Sequence, residues 1–257
     1  VGVGAGRVDD LVVVTAELGH GHVLAELHSP EEAETWMRRD LVEGRRDRLD
    51  LLVIGRHAGP HERLDVVVEA SEATPGSLVY TYESTLDHTG HEKGCTSPEW
   101  RDRLRGIDHD LADLRAELAP GTAMLVTADH GMLDLPRDGR FDVEAEPHLL
   151  ADVTVFAGEA RFRHLYTRSG TEQEVAGRWR DRVGEQALVL TRDEAEAAGW
   201  FGSIDDAVRP RIGDVVVASL GDFGVFSSRH FGIELHMAGF HGSVTPAEMR
   251  VPLLVDL

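Results

Sequence analysis

The chain has 257 residues, 42% of them hydrophobic and 28% charged, which is typical of a globular protein with one or two domains. Its 46 acidic residues outnumber its 26 basic residues and give a formal net charge of -20, so nucleic acid and anionic membranes are poor partners for its surface. The sequence has no apolar run long enough to span a bilayer, and its single cysteine, Cys95, excludes an internal disulfide and favours a cytoplasmic protein.

Residues 1–70 contain short apolar segments but no motif that assigns them to a domain. Hydrophobic spacing predicts a strand from Leu11 to Leu18, a helix from Pro30 to Arg46, and short strands from Leu49 to Gly55 and from Asp65 to Glu69. We therefore treat residues 1–70 as an unassigned N-terminal region and residues 71–257 as the main predicted domain.

A strand, a helix and a second strand follow, which is the pattern of a parallel α/β sheet. Residues 77–82 (SLVYTY) and 123–128 (AMLVTA) are apolar enough to be strands, and a polar loop follows each of them. Between them, apolar residues at helical spacing predict a helix from Ser97 to Ala119, which Pro120-Gly121 ends. Because ligands collect outside the carboxyl ends of parallel strands, we expect both loops to open at one edge of the sheet.

Residues 151–210 predict a small inserted subdomain. Its predicted elements are strands at residues 153–156, 161–166 and 187–190 and helices at residues 170–184 and 192–199. Residues 213–220 are apolar enough to be a strand, and residues 251–255 are expected to form the final strand. The predicted fold class is therefore α/β, with a mostly parallel sheet flanked by helices and a small inserted subdomain.

Three glycine-containing loops hold most of the residues that could bind a metal ion. They are LDHTGH at residues 86–91, TADHGM at residues 127–132, and GFHGSVTPAEMRVPLL at residues 239–254, in which His241 precedes a glycine. Asp87 and His91 are four residues apart, so one helical turn can direct both side chains to one ion. Asp129 and His130 are adjacent, and the glycine that follows them gives the backbone freedom for a sharp turn.

Carboxylate and imidazole donors together favour Zn²⁺ or Mn²⁺ over Mg²⁺ and Ca²⁺, and zinc is the first expectation. Any one of these Asp and His pairs, taken alone, is more often a solvated loop pair than a metal site. The recurrence of such pairs in three glycine loops, two of them after apolar strands, favours metal binding. Among the neighbouring residues, His88 and His236 could be mistaken for ligands, and Trp200 and Phe201 could form a substrate platform or pack in the core.

These motifs resemble the alkaline phosphatase superfamily, in its type I phosphodiesterase and nucleotide pyrophosphatase branch. The resemblance is carried by LDHTGHEKG with a following SPEW helix start, by LVTADHGM, and by the late HG that precedes PAEMRVPLL. It covers residues 77–135 and 210–257, the C-terminal portion of such a protein, and LVTADHGM is its most specific part.

The resemblance implies an alkaline-phosphatase-like fold and a metal-dependent hydrolase of phosphoric esters. It implies that Asp87, His91 and His241 bind one divalent ion and that Asp129 and His130 contribute to a second. Two such ions would hold the phosphoryl group of a small phosphorylated substrate while a Thr or Ser attacks phosphorus. A sulfatase or phosphomutase of the same superfamily would keep similar metal ligands.

The sequence departs from the family near its N-terminal end. The resemblance implies an early metal-binding Asp followed by a nucleophilic Thr or Ser, and Asp9, Asp10, Thr15 and Thr74 do not have that order and spacing. The nucleophile is therefore left unassigned, and the chain is expected to lack the N-terminal part of the family fold. Two hypotheses follow: a phosphoric ester hydrolase that is incomplete in this chain, and a non-catalytic metal-binding remnant or interaction module. Neither hypothesis predicts an oligomeric state.

Overall fold

The computed structural model describes residues 10–16, 51–54, 60–73 and 78–256, with side chains for residues 64–72 and 78–256. The helix predicted from Pro30 to Arg46 lies outside the described residues. The chain divides into two compact units. Unit 1 comprises the described residues of Val1–Thr89, Pro98–Gly131 and Val251–Leu257, and unit 2 comprises Gly90–Ser97 and Met132–Arg250.

The strands of the described residues are β1 (Asp10–Ala16), β2 (Leu51–Ile54), β3 (Leu78–Glu83), β4 (Thr122–Thr127), β5 (Leu133–Asp134), β6 (Arg140–Asp142), β7 (Val153–Glu159), β8 (Phe162–Thr167), β9 (Ala187–Thr191), β10 (Val215–Ser219), β11 (Gly224–Phe226), β12 (Gly239–Phe240) and β13 (Leu253–Asp256). The α-helices are α1 (Pro60–Ala73), α2 (Thr85–Lys93), α3 (Pro98–Glu117), α4 (Glu172–Val183), α5 (Arg192–Ala197) and α6 (Pro246–Met249). Among these helices, none combines the length and apolar character that crossing a membrane requires.

Unit 1 is built on a five-stranded sheet in the order β13-β4-β1-β3-β2. The strands β4, β1, β3 and β2 run parallel, as the sequence predicts for this α/β fold, while β13 pairs antiparallel with β4. Because β3 and β4 both run parallel to β1, their carboxyl ends lie at the same edge of the sheet. The residues that follow Glu83 and Thr127 therefore lie at one edge, as expected. Those after Glu83 form helix α2, however, and not the loop that the sequence analysis expected.

Helices α1 and α3 contact each other and cover apolar residues of the unit 1 sheet. Val67 of α1, Leu114 of α3, Val79 of β3 and Val126 of β4 are buried in one cluster. Apolar burial of this kind is the main favourable term in folding, at roughly 25 cal/mol per Å² removed from water. The cluster therefore fixes the two parallel strands that lead into the candidate site.

One predicted element of unit 1 is wrong, because the segment from Asp65 to Glu69, expected as a strand, lies inside helix α1. Its run of three valines has high strand propensity, which explains the expectation. In the structure, Val67, Ala70 and Ser71 are buried and recur at helical spacing, so one helix face packs inward. Tertiary burial outweighs local propensity here.

Unit 2 contains a four-stranded antiparallel sheet in the order β7-β8-β10-β9. Helix α4 packs on this sheet and buries Trp179 and Val175 among sheet residues such as Leu165 and Val217. The elements predicted for residues 151–210 all lie in this unit, which also includes β10 from the following segment. Two short ladders complete unit 2: β6 pairs parallel with β11, and β5 pairs antiparallel with β12.

Candidate metal centre

The first group of candidate ligands lies at the carboxyl edge of the unit 1 sheet. Asp87 is in the first turn of α2, which begins just after β3, and Asp129 and His130 follow β4 directly. A carboxylate oxygen of Asp87 and a ring nitrogen of His130 lie within 4.8 Å of each other. Unit 1 therefore brings together a carboxylate from the first turn of α2 and an imidazole from the segment after β4.

Hydrogen bonds orient Asp129 and His130 within unit 1. The Tyr82 hydroxyl donates to Oδ2 of Asp129 at 3.3 Å, and Nδ1 of His130 lies 2.9 Å from the carbonyl oxygen of Gly131. Because a carbonyl oxygen only accepts, Nδ1 of His130 carries the proton, and Nε2 carries the lone pair of the neutral ring. Nε2 of His130 lies 3.9 Å from Oδ1 of Asp129. Sequence reasoning missed Tyr82, since a tyrosine in a strand is more often a packing residue.

A buried carboxylate fixes the start of α2. Oε1 of Glu83, at the end of β3, accepts from the backbone N–H of Thr85 at 2.7 Å and also from the Thr85 hydroxyl. Nη2 of Arg103 lies 3.3 Å from the same oxygen, and Nε of Arg103 donates to the Thr85 hydroxyl. This network ties the end of β3 to the first turn of the helix that carries Asp87. The sequence has no motif that identifies it.

The second group of candidate ligands lies in unit 2. Nε2 of His91 and Nε2 of His241 are 3.2 Å apart, and the two rings are tilted by 47°. Nδ1 of His91 lies 2.9 Å from the carbonyl oxygen of Gly239, so this nitrogen donates and the Nε2 of the neutral ring carries the lone pair. His91 also follows Asp87 by one helical turn in α2, the spacing that places two side chains on one helix face.

A close backbone approach holds His91 and His241 together. The backbone N–H of Ala238 donates to the carbonyl oxygen of His91 at 2.7 Å, which ties the residues before His241 to the end of α2. A Cβ atom at Gly239 would lie 2.6 Å from the carbonyl oxygen of Gly90 and 2.7 Å from the sulfur of Met132. Only glycine fits at this contact.

The imidazole pair of unit 2 fits a zinc-type ion. At Zn–N distances of about 2.0–2.1 Å, tetrahedral geometry separates two ligand nitrogens by roughly 3.3–3.4 Å. The observed 3.2 Å between the Nε2 atoms of His91 and His241 is close to that separation. A metal-binding histidine also commonly donates its other ring N–H to a backbone carbonyl, as His91 does to Gly239.

The residues that the sequence analysis set aside have other surroundings. The side chains of His88 and His236 are exposed. Trp200 and Phe201 pack against a buried cluster, and both rings contact Phe162, which supports core packing as their role.

Comparisons with known proteins give a family and a fold. Residues 11–244 match the type I phosphodiesterase / nucleotide pyrophosphatase family, and the match begins in the region that the sequence analysis left unassigned. Murine ectonucleotide pyrophosphatase / phosphodiesterase 5 is similar in structure, with a TM-score of 0.64 and 19% identity over 79% of this chain and 54% of that chain. Another structure of the murine protein is a complex with AMP, with a TM-score of 0.62 and 19% identity.

A bacterial enzyme shares the fold over more of the chain. Phosphonoacetate hydrolase from Sinorhizobium meliloti 1021, in complex with phosphonoformate, has a TM-score of 0.55 and 21% identity over 96% of this chain and 65% of that chain. At these identities the likeness shows the fold, which is the alkaline-phosphatase-like α/β fold that the motifs imply. The present chain spans about half to two thirds of the length of these proteins.

Proposed function

The chain belongs to the type I phosphodiesterase / nucleotide pyrophosphatase family, and we propose that it acts as a divalent-metal-dependent hydrolase of phosphoric esters. The observation that carries this proposal is the pair of Nε2 atoms of His91 and His241, 3.2 Å apart, with the other ring nitrogen of His91 held by Gly239. A small phosphorylated molecule is the proposed substrate class, supported by the AMP and phosphonoformate bound in the similar structures.

We propose that Asp87, His91 and His241 bind one divalent ion and that Asp129 and His130 contribute to a second. The position of Asp87 and His91 on one face of α2 supports the first assignment. In this assignment Asp87 binds the first ion and His130 the second, and their ligand atoms lie within 4.8 Å of each other. This distance supports two neighbouring ions, since paired catalytic ions are typically about 3.5–4 Å apart. The mixture of carboxylate and imidazole ligands favours zinc, with manganese as the second choice.

The chain's own residues would prepare this site for an anionic ester. Bound divalent ions would neutralise the phosphoryl oxygens and stabilise the leaving oxygen. Gly239 keeps the lone pair of His91 at Nε2, and Tyr82 orients the carboxylate of Asp129 by donating to one of its oxygens. The formal net charge of -20 would otherwise repel a phosphate, so a local positive charge is required for substrate to approach.

The single buried cysteine, Cys95, is consistent with a cytoplasmic location, which we also propose.

The alternative is a metal-binding module without catalysis. It would use the same ligands, because metal binding does not require the Thr or Ser nucleophile that the sequence leaves unassigned. The two functions differ in what happens to a phosphorylated ligand. A hydrolase site binds the phosphoryl group through its metal ions, whereas a purely structural site is closed by protein ligands.

The experiment compares the metal-free and metal-loaded protein. Three proteins are compared: wild type, His91→Ala and the control His236→Ala. For each we measure the metal content after removal of excess Zn²⁺ or Mn²⁺, the binding of AMP by calorimetry, and the turnover of a chromogenic aryl phosphodiester. We expect metal-dependent AMP binding that is lost in His91→Ala and kept in the control. Turnover by this chain should be low, because no Thr or Ser in its sequence has the order and spacing of the nucleophile that the family resemblance implies. Metal binding without any AMP binding would favour the non-catalytic module, and failure to bind either metal would overturn the proposal.

A further inference from the structure

Two arginines at the start of β8 have fully buried side chains. Arg161 directly precedes β8 and Arg163 lies in it, and the exposed fraction of both residues is 0%. Arginine side chains are almost never fully buried unless they are paired. Each guanidinium meets a glutamate from a distant part of unit 2, Glu248 for Arg161 and Glu234 for Arg163.

Arg161 and Glu248 form a two-pronged ion pair. Nε of Arg161 donates to Oε1 of Glu248 at 2.9 Å, and Nη2 donates to Oε2 at 2.8 Å. The remaining nitrogen, Nη1, donates to the carbonyl oxygens of Gly221 and Phe223. This bidentate geometry fixes the direction of the carboxylate as well as its position.

Glu248 in turn holds the loop that follows His241. Its Oε1 accepts from the backbone N–H of Ser243 at 3.1 Å, and its Oε2 accepts from the Thr245 hydroxyl. The Ser243 hydroxyl donates to the carbonyl oxygen of Ser219 at 2.6 Å, which ties the same loop to the end of β10. Although burial alone would raise the pKa of the Glu248 carboxyl, hydrogen bonds from Arg161 and Thr245 lower it, so Glu248 stays ionised.

The second pair anchors the residues that lead into His241. Nη2 of Arg163 donates to Glu234, and Nε of Arg163 donates to the carbonyl oxygen of Val225 at 2.8 Å. The guanidinium also lies 5.0 Å from the ring centre of Phe156 and 4.6 Å from that of Phe231. Glu234 belongs to a 3₁₀ turn at Gly232–His236, shortly before β12 and His241.

We propose that the pairs Arg161–Glu248 and Arg163–Glu234 position His241 by holding both ends of the segment that carries it. Buried ion pairs contribute little net stability compared with apolar residues of the same volume, so stability alone gives a weak reason for two of them on one strand. Held at both ends, the segment keeps the Nε2 of His241 beside that of His91. This inference rests on the proposed metal-binding function of His241, and it makes Arg161, Arg163, Glu234 and Glu248 positioning residues.

The test uses two variants of one anchor and a matched control. Glu248→Gln removes the negative charge that pairs with Arg161. Thr245→Val removes a single hydrogen bond to Glu248 and leaves no buried charge unpaired. Thr245→Val should therefore fold even if Glu248→Gln does not. The control is Asp214→Asn: Asp214 also lies in unit 2, where its oxygens accept from Arg192 at 2.6 Å and from the backbone N–H of Thr167 at 2.8 Å.

The measurements are zinc affinity by chelator competition, and amide hydrogen exchange of residues 239–245 in the metal-free protein. We expect a zinc dissociation constant about 10–100-fold higher in Glu248→Gln and about 10-fold higher in Thr245→Val, as for other residues that orient metal ligands. The Ser243 amide should exchange faster in both, and neither quantity should change in Asp214→Asn.

Two results would count against these roles and can be distinguished. Unchanged zinc affinity in the Glu248 and Thr245 variants, with wild type still binding zinc, would overturn the positioning role alone. A wild-type protein that binds neither zinc nor manganese would overturn the proposed function instead. In that case, faster exchange of the Ser243 amide in the Glu248 and Thr245 variants than in wild type would still show that Glu248 anchors the segment. Unchanged exchange would show that it does not.

Discussion

The Nε2 atoms of His91 and His241 face each other at 3.2 Å, while the opposite ring nitrogen of His91 donates to the carbonyl oxygen of Gly239. The tautomer of His91 is therefore set by the backbone of the segment that also carries His241. One backbone contact thus controls both the placement of the two rings and the availability of a lone pair.

Removing either imidazole should abolish tight zinc binding. We expect His91→Ala and His241→Ala each to weaken zinc binding by more than about 100-fold, since losing a ligand should exceed the effect of losing a residue that orients one. Zinc at a hundred times the wild-type dissociation constant should stabilise wild type by about 2.7 kcal/mol and each variant by less than about 0.4 kcal/mol. Thermal melts with and without zinc measure this, with the exposed His236→Ala as control. Equal zinc stabilisation of all four proteins would contradict the assignment.

The second ion should depend on unit 1. His130→Ala is expected to lower the number of bound ions from two to one, because His130 contributes to the second ion while Asp87 belongs to the first. Metal content measured after gel filtration is the readout. The exposed His109 of α3 provides the control, and His109→Ala should keep both ions. If His130→Ala still bound two ions, the assignment of His130 as a metal ligand would be wrong.

A methyl group at Gly239 should disturb the site through the backbone. Since the added Cβ would lie 2.6 Å from the carbonyl oxygen of Gly90, we expect Gly239→Ala to destabilise the protein by about 1–3 kcal/mol and to weaken zinc binding. Gly177 of α4 has nothing within 4 Å of the corresponding position. Gly177→Ala should therefore stabilise the protein by about 0.5–1 kcal/mol, the usual gain for a helical position. Urea unfolding measures the stability of both variants. A Gly239→Ala variant as stable as wild type would show that β12 can shift to make room for the methyl group.

The partly buried His164 should make stability depend on pH. Burial lowers the pKa of its imidazole below the ordinary value of 6.5, and Nδ1 accepts from the backbone N–H of Gly213 at 3.0 Å. As pH falls below 6.5, the unfolded chain takes up a proton that the folded protein does not, so stability decreases until the lowered pKa is reached.

The slope that His164 contributes in that window should not exceed about 1.4 kcal/mol per pH unit, the limit for one proton. Urea unfolding of the metal-free protein at pH values below 6.5 measures this dependence of stability on pH. His164→Gln keeps a hydrogen-bond acceptor but does not titrate, so it should remove the contribution of His164 to the slope. The exposed His109→Gln is the matched control and should leave it in place. Identical pH profiles for wild type and His164→Gln would refute the prediction.

Local sequence patterns predicted the elements that form within short stretches of chain. The helix expected from Ser97 to Ala119 is α3, Pro98–Glu117, because its apolar period and its terminal Pro120-Gly121 are both local signals. The segment from Asp65 to Glu69 was misread, because its valines favour a strand unless they pack as a helix face, and packing is not local.

The candidate site was predictable as a set of sequence motifs but not as a set of contacts, and the segment that holds Asp87 and His91 is a helix instead of the expected loop. Asp87, Asp129 and His241 stand in recognisable motifs, which is why the resemblance identified them. The burial of Arg161 depends on Glu248, far along the chain, and neither residue's neighbours in sequence indicate an ion pair. The same holds for Gly239, whose requirement for glycine arises from its contact with Gly90.

The order of strands in unit 1 has a consequence for synthesis on the ribosome. β13 pairs with β4 only after all of Met132–Arg250 has been translated, since Leu253 is the partner of Thr127. At about 5–20 residues per second, that interval is on the order of ten seconds. During it, the edge of β4 that β13 later covers has its hydrogen-bonding groups unpaired, which is the type of edge that recruits other chains. Nascent chains stalled within Met132–Arg250 should therefore aggregate, or occupy chaperones, more than chains released after β13.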